Sequence, residues 1–545
     1  MKPLDKVSRS IKLLFQTYYS HIRLVQKTNF MAKHILPKAE WTILYDQLKS
    51  LIPEAFNKDG NVMNLIKGEW SDQMNLKPFN SCLDGTQLGF YPMLKSQDGK
   101  EAVEYCAEEF KSWKEVSLAK RKEKVSKTID HLEEHKELLG LILVWEIGKP
   151  YSQALDGVQR CIDGVRWYID NVDEMIEGRE ALGVISNIAS WNYPLSVLVH
   201  ACMVQVLSGN TVIAKTPSDG GLWSLSLCFA LAKREGLPVS LISGSGRILS
   251  EALVTHEAVD CLSYVGGKSN GRSIASSLYN KDKRYMLEME GINTYGVWEF
   301  SDWDNLAKQI KSGFKYGKQR CTAYVRFVVQ RNLFPKFLEM YLPVLKSLRF
   351  GHPLLVEEGE TELPDYDFGP LINSNKVNEL DVMYNDAIGK GAVSIYQGEL
   401  NDDLFLPNQD TSAYYAPAAL LSLPKNAELY HHEPFGPLDS IILVDHKNEL
   451  INEMNVSNGA LVGSIACDDD MEAEEIACQI RAYKVGINKM KSRGDNEATF
   501  GGIGESWKGC FVGGRYLVEA VTKTDNDEKL FGNFPKYTQL PEKRD

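Results

Sequence analysis

The stretch GKQRCTAYV, residues 317–325, sets Cys321 between a polar run and an apolar-rich segment. It is one of ten cysteines, and a thiol in such a place is either a packing residue or a nucleophile. RYMLEMEGIN places Glu288 between Met286 and Met289. A carboxylate in an apolar strand suits a general base, or else is the exposed residue of a half-buried strand. In SWNYP, residues 190–194, Asn192 follows an apolar run and precedes another. Its side chain is a functional amide, or only a cap or Asx-turn. GNTVIAKTPSD puts Lys215 at a strand end, where a long cation reaches ribose hydroxyls or a phosphate, or simply lies on the surface. SGSG, ending at Gly246, opens a helix whose first N–H groups could face a phosphate.

The elements that must position these groups follow from periodicity. Between 182 and 267 apolar runs alternate: ALGVISNIA, GNTVIAK, VSLIS and VDCLSYVGG read as strands, and SVLVHACMVQVLS, LWSLSLCFALAKREG and GRILSEALVTH as helices. Strand, helix, strand with short connections is the pattern of a parallel sheet with crossover helices, so the class is α/β. Ligands sit beyond the carboxyl ends of such strands. The loops at 190–193, 215–219, 244–246 and 266–268 therefore lie on the expected binding edge. Upstream, 101–145 is strongly helical and GVQRCIDGVRWYIDNV reads as a further helix. From about 290, punctuation at GHPL, DFGPLI, EPFGPL and TFGGIGESWKG marks a second α/β domain.

In chain order the positions are Asn192, Lys215, Gly266, Glu288, Cys321, then Glu433 and Phe435 in HHEPFGP. That order and spacing resembles the NAD(P)-dependent aldehyde dehydrogenase superfamily, from NLIKGEW (64–70) to FGGIGESWKG (500–509). WNYP is similar to the family's Trp/Pro-Asn-aromatic-Pro motif, YVGG to its Phe-Thr-Gly-Ser turn, LEMEG to Leu-Glu-Leu-Gly-Gly, and GKQRC to Gly-Gln-x-Cys; EPFGP matches closely. The resemblance implies a Rossmann-like cofactor domain, an α/β catalytic domain and a small oligomerisation hairpin. It implies that Cys321 attacks an aldehyde, that Asn192 and the Cys321 N–H hold the oxyanion, that hydride passes to NAD or NADP, and that Glu288 activates water against the thioester. Trp191, Lys215, Ser218, Asp219, Gly246, Gly266, Gly267, Glu433 and Phe435 would then bind the cofactor.

Three departures stand out. Glu290 occupies the place of the family's first paired glycine, where a second acid would crowd Glu288 or obstruct its movement and so slow deacylation. Gly267 replaces a serine. Ser218 stands where the family has an acid that disfavours a 2′-phosphate, which suggests that NADP is accepted, although Asp219 is one position away. The Glu290 and Gly267 departures keep one alternative open, a protein of this fold with a binding or structural role; another is a relative that passes the acyl group to another acceptor, against which the retention of Glu288 argues.

The implied division is an N-terminal helical extension at 1–60, a cofactor domain at 61–160 and 183–289, oligomerisation segments at 161–182 and 515–535, and a catalytic domain at 290–514. A homodimer or homotetramer is expected. The net charge of -12 argues against nucleic acid as a partner. The cysteines have no metal-ligand spacing, so no metal is expected, and their low density fits a reducing, cytoplasmic setting. No apolar run is long enough to span a bilayer. The first 39 residues carry eight Lys/Arg against Asp5 alone; they read as a solvated extension, or as a targeting or membrane-surface segment.

Overall fold

The structure, a computed structural model, describes residues 33–279, 281–457, 459–494, 496–524 and 528–534. The basic segment up to residue 32 lies outside the described residues, as do 525–527 and 535 of the expected oligomerisation segments.

Two sheets form the frame. In the first, of nine strands, Val184–Ile188 lies at the centre. Thr211–Lys215 and Val239–Ile242 extend the sheet on one side, Cys261–Gly266 and Arg284–Met289 on the other, all parallel. Thr211–Lys215 and Val239–Ile242 are buried on both faces, which is why they read as mainly apolar runs rather than alternating ones. The direction of winding reverses between Val184–Ile188 and Cys261–Gly266, so a crevice opens beyond their carboxyl ends. The second sheet has seven strands. Asn293–Val297 lies between Tyr324–Gln330 and Ala460–Ala466, and only the edge strand Val393–Gln397 runs antiparallel.

The expected strands between 182 and 267 all form, and the helices with them. The run after Asn192 begins as a wide π-helical turn, Pro194–Val199, before the α-helix His200–Leu207. The long N-terminal helical region divides into Ser96–Trp113, Leu118–Glu134 and Lys136–Ile147, the last ending at Gly148 with φ 71°. That left-handed residue suits glycine and turns the chain back toward the site.

Chain order and sheet membership part company at the C-terminal end. Trp507–Cys510 pairs antiparallel with Arg284–Met289, and Gly532–Asn533 adds beyond it. Residues placed by sequence in the catalytic domain and the oligomerisation segment thus complete the cofactor sheet. The two segments read as oligomerisation pieces do meet, Thr522–Lys523 against Glu180–Ala181, but in a ribbon of two residues per strand. Most of 161–182 belongs instead to the helix Tyr151–Ile176. Within the expected N-terminal extension, Lys33–Ile35 pairs with Leu355–Glu357 and the helix Trp41–Leu51 packs into the core. Among the described residues no helix is long and apolar enough to cross a membrane.

Candidate active site

Cys321 is delivered by a tight, costly turn. Tyr316, Gly317 and Lys318 all adopt left-handed conformations, with φ of 59°, 57° and 58°. For two residues with side chains this conformation is unfavourable and persists only where surroundings hold it. Here the Tyr316 hydroxyl donates to the Ile147 carbonyl at 2.9 Å, and its N–H to the Asp367 carbonyl at 3.0 Å. Lys318 donates to Asp439 at 2.5 Å and to the Tyr324 carbonyl at 2.8 Å. The Gln319 amide then ties the turn to the Pro370 carbonyl (3.2 Å) and accepts from the Ile372 N–H (3.0 Å). Cys321 emerges against a cavity of about 420 Å3 in the crevice, the one cysteine among its lining residues.

Asn192 and Glu288 line the same cavity. One N–H of the Asn192 amide donates to the Gln319 carbonyl at 2.9 Å, which leaves the other without a protein partner among the described residues. The Cys321 carbonyl accepts from Asn293 at 2.8 Å, while no acceptor among the described residues takes its N–H. Two unspent donors, each fixed by a bond to its other end, make an oxyanion site. The backbone carbonyl of Asn192 is itself held by the buried Lys149 ammonium at 2.7 Å. Burial, then the negative Glu288 and Glu433, hold the Cys321 thiol well above its ordinary range, with Arg493 opposing them. At neutral pH the thiol is therefore protonated and must lose its proton before it can attack.

The cofactor positions divide. Trp191, Asp219, Gly266, Gly267, Glu433 and Phe435 line the cavity. Trp191 and Phe435 meet edge to face with ring centres 6.0 Å apart. A Cβ on Gly266 would come within 2.5 Å of the Tyr264 hydroxyl, so that glycine is required by packing; Gly267 has open space around it. Both Glu433 carboxylate oxygens are buried without a hydrogen-bond partner. Such an orphaned pair fits a ligand that brings hydroxyl donors, as the ribose of a dinucleotide does. Lys215, Ser218 and Gly246 lie outside this cavity. Lys215 ends its strand, buried, donating to the Thr216 carbonyl at 2.8 Å; burial, countered by Asp219 and reinforced by Lys77, brings it down to about 8. Ser218 is exposed, and its carbonyl accepts from Lys77 at 3.3 Å. Gly246 opens a short helix where a Cβ would meet nothing.

Glu290 follows the last residue of its strand and lines the cavity too. It opposes the ionisation of two neighbours, Tyr264 and Glu433: burial first, then Glu290, holds each above its usual range. Sequence reasoning missed Lys149, just beyond the helix Lys136–Ile147, and Lys77, which sits on the hairpin strand Leu76–Asn80. It also missed Asn373, Lys376 and Glu379 on the cavity's outer wall.

A nucleotide-binding sheet, joined to a second sheet by a crevice with a cysteine, an amide and a carboxylate, defines a class of covalent oxidoreductase. The chain belongs to the aldehyde dehydrogenase family, whose sequence profile matches residues 70–526. Over 482 residues it is 27% identical to NADP-dependent glyceraldehyde-3-phosphate dehydrogenase of Streptococcus equinus, covering 84% of this chain and 96% of that one. Over 478 residues it is 26% identical to mitochondrial succinate-semialdehyde dehydrogenase of Homo sapiens, covering 84% and 86%. The crystal structure of NADP-dependent glyceraldehyde-3-phosphate dehydrogenase from Bacillus halodurans C-125, complexed with NADP, superposes with a TM-score of 0.76 at 26% identity, over 85% of this chain and 98% of that one. Betaine aldehyde dehydrogenase from Staphylococcus aureus, in complex with NAD+, shares the fold, with a TM-score of 0.77 at 21% identity over 88% and 96%. The protein is an NAD(P)-dependent oxidoreductase of aldehydes.

Proposed function

We propose that Cys321 is the nucleophile of this oxidation, Asn192 and the Cys321 N–H its oxyanion donors, and Glu288 its general base. The observation that carries the reading is the pair of unspent donors in the cavity that holds the thiol. Glu288 adjoins that thiol closely enough to oppose its ionisation, so it can also accept its proton. The thiolate adds to the aldehyde carbon, and the carbonyl electron pair moves onto the oxygen, where the two donors stabilise it. A bound nicotinamide supplies the acceptor for the hydride that leaves as the C–S adduct becomes a thioester. Glu288 first gives up the thiol's proton to solvent and then takes one from water, whose oxygen adds to the thioester carbon. The carboxylic acid is released as the C–S bond breaks, and the Cys321 sulfur takes the proton back from Glu288 to restore the thiol.

Glu433 and Lys215 would hold the cofactor riboses, with Trp191 and Phe435 packing near the nicotinamide end. NADP is favoured by a lysine pair, Lys77 and Lys215, around Ser218, against which Asp219 stands one position on. The relatives' names give different aldehydes, so only the aldehyde group is carried over from them. A homodimer or homotetramer would extend the short ribbon at 180–181 and 522–523, which light scattering would read. The ten unpaired cysteines suit a reducing, cytoplasmic compartment.

Stopped-flow recording of reduced nicotinamide tests the chemistry. The wild type should give a burst with an aldehyde that it accepts, and Cys321→Ala should abolish it, with turnover falling by at least about a thousandfold. A burst that survives in Cys321→Ala refutes the assignment. Acceleration of the slow phase by added coenzyme A would favour acyl transfer over hydrolysis.

A further inference from the structure

Glu433 and Phe435 reach the cavity on a loop, residues 432–437, that joins the helix Glu428–His431 to the strand Leu438–Val444. The loop is not relaxed: Phe435 sits in the left-handed region, at φ 48°. A residue with a side chain persists there only where its surroundings hold the backbone. One arginine grips both ends of this loop. On the entry side the Arg326 Nη2 donates to the Leu429 and Tyr430 carbonyls, at 3.1 and 2.9 Å. On the exit side its Nε donates to the Ser440 hydroxyl at 3.2 Å. The guanidinium also lies over the Tyr430 ring, 4.8 Å from its centre.

Arg326 belongs to the strand Tyr324–Gln330, which starts three residues after Cys321. That strand pairs in parallel with Leu438–Val444, and Arg326 stands opposite Ser440. A second tie runs the same way, from Lys318 in the cysteine's turn to Asp439. The segment that delivers the thiol therefore also holds the loop that delivers Glu433 and Phe435.

Stability alone does not call for an arginine here. Arg326 is 1% exposed and in no ion pair among the described residues, and its Nη1 is buried without a partner. Burial lowers it to about 10, against Tyr430 and Glu453, so it is charged at neutral pH. A buried cation without a carboxylate destabilises a fold relative to an apolar side chain of similar volume. What the guanidinium adds is geometry. Its donors form one rigid plane and tie two backbone segments at a fixed separation, which the single ammonium of a lysine does not. We propose that Arg326 is a positioning residue, which sets the nicotinamide end of the cofactor against Cys321 through the loop that bears Glu433 and Phe435. A displacement of about 1 Å at reacting atoms is enough to slow a reaction about a hundredfold. The inference rests on the reading of Glu433 as a ribose ligand.

The test is calorimetric titration of the wild type, Arg326→Lys, Ser440→Ala and Glu433→Gln. NADP and NAD are each compared with the fragment that lacks the nicotinamide and its ribose, 2′-phosphoadenosine 5′-diphosphate and ADP. The dissociation constant of the whole dinucleotide should rise by about tenfold in Arg326→Lys and by about threefold in Ser440→Ala. That of the fragment should stay within about twofold of the wild type in both variants. A merely structural arginine would weaken dinucleotide and fragment alike, or neither, and either result overturns the proposal. Ser440→Ala reads the same difference should Arg326→Lys fail to fold. If the wild type binds neither dinucleotide, or Glu433→Gln binds as tightly as the wild type, the reading of Glu433 fails first and this inference falls with it.

Discussion

Lys149 and Lys318 are alike in burial, 3% and 1% exposed, and each ammonium lies against aromatic rings. Their partners differ. Lys318 meets the Asp439 carboxylate at 2.5 Å, and the other oxygen of Asp439 accepts from Tyr341 at 2.7 Å, so the charge is closed on itself. Lys149 has one carbonyl and two arginines for company. The same contrast divides two buried carboxylates. Glu146, pushed up to about 7 by burial, accepts from the Trp223 and Ser224 N–H groups and the Ser224 hydroxyl at the start of the helix Leu222–Arg234. Glu433 has no donor at hydrogen-bonding distance among the described residues, and the Gly291 N–H, Lys376 and Lys268 only partly offset its burial. Completed buried charges hold the scaffold, and incomplete ones gather around Cys321, where a ligand would complete them.

The comparison breaks most visibly in paired substitutions. Lys318→Met strands Asp439 in the interior and should cost about 3–5 kcal/mol of stability, read by chemical denaturation. Lys149→Met strands a backbone carbonyl but no carboxylate, so it should cost less, about 1–3 kcal/mol. It should lower kcat all the same, by freeing the Asn192 carbonyl and with it the oxyanion amide. Equal losses of stability in the two variants would erase the distinction. The carboxylates give a smaller difference. Glu146→Gln turns one acceptor of a helix start into a donor and should cost about 1–3 kcal/mol. Glu433→Gln should leave the free protein as stable as before, or more so, while weakening cofactor binding in a calorimetric titration.

The contrast also marks how far the sequence could be read. The strands from Val184 to Gly266 were legible because they are largely buried and mostly apolar, with short connections between them. Asn192, Glu288, Cys321, Glu433 and Phe435 were legible because spacing and motif agree, and the structure brings all five to one cavity. Lys149 and Arg320 were not, because a lysine or arginine in sequence carries no sign of whether a carboxylate will meet it. That depends on distant elements: Asp439, 121 residues away, closes Lys318, and among the described residues no carboxylate pairs with Lys149. The return of Trp507–Cys510 to the first sheet was hidden for the same reason. Antiparallel addition at an edge leaves no local mark, and the strand adds next to Glu288 only once both domains are in place.

Lys215 gives the subtlest test, because its charge is partly suppressed in the free protein. Burial lowers it to about 8, so it is charged below that pH and neutral above. If it faces the 2′-phosphate of NADP, affinity must decline as pH rises through that value. Glu433 also titrates, but its ribose is common to both cofactors, so its contribution cancels in the ratio of NAD to NADP dissociation constants. That ratio should fall by as much as about tenfold between about pH 7 and about pH 9, the change in the protonated fraction of one such lysine. Lys215→Met should flatten it. A ratio that stays level in the wild type, or rises with pH, would place the 2′-phosphate away from Lys215 and leave Lys77 as the cation that reads it.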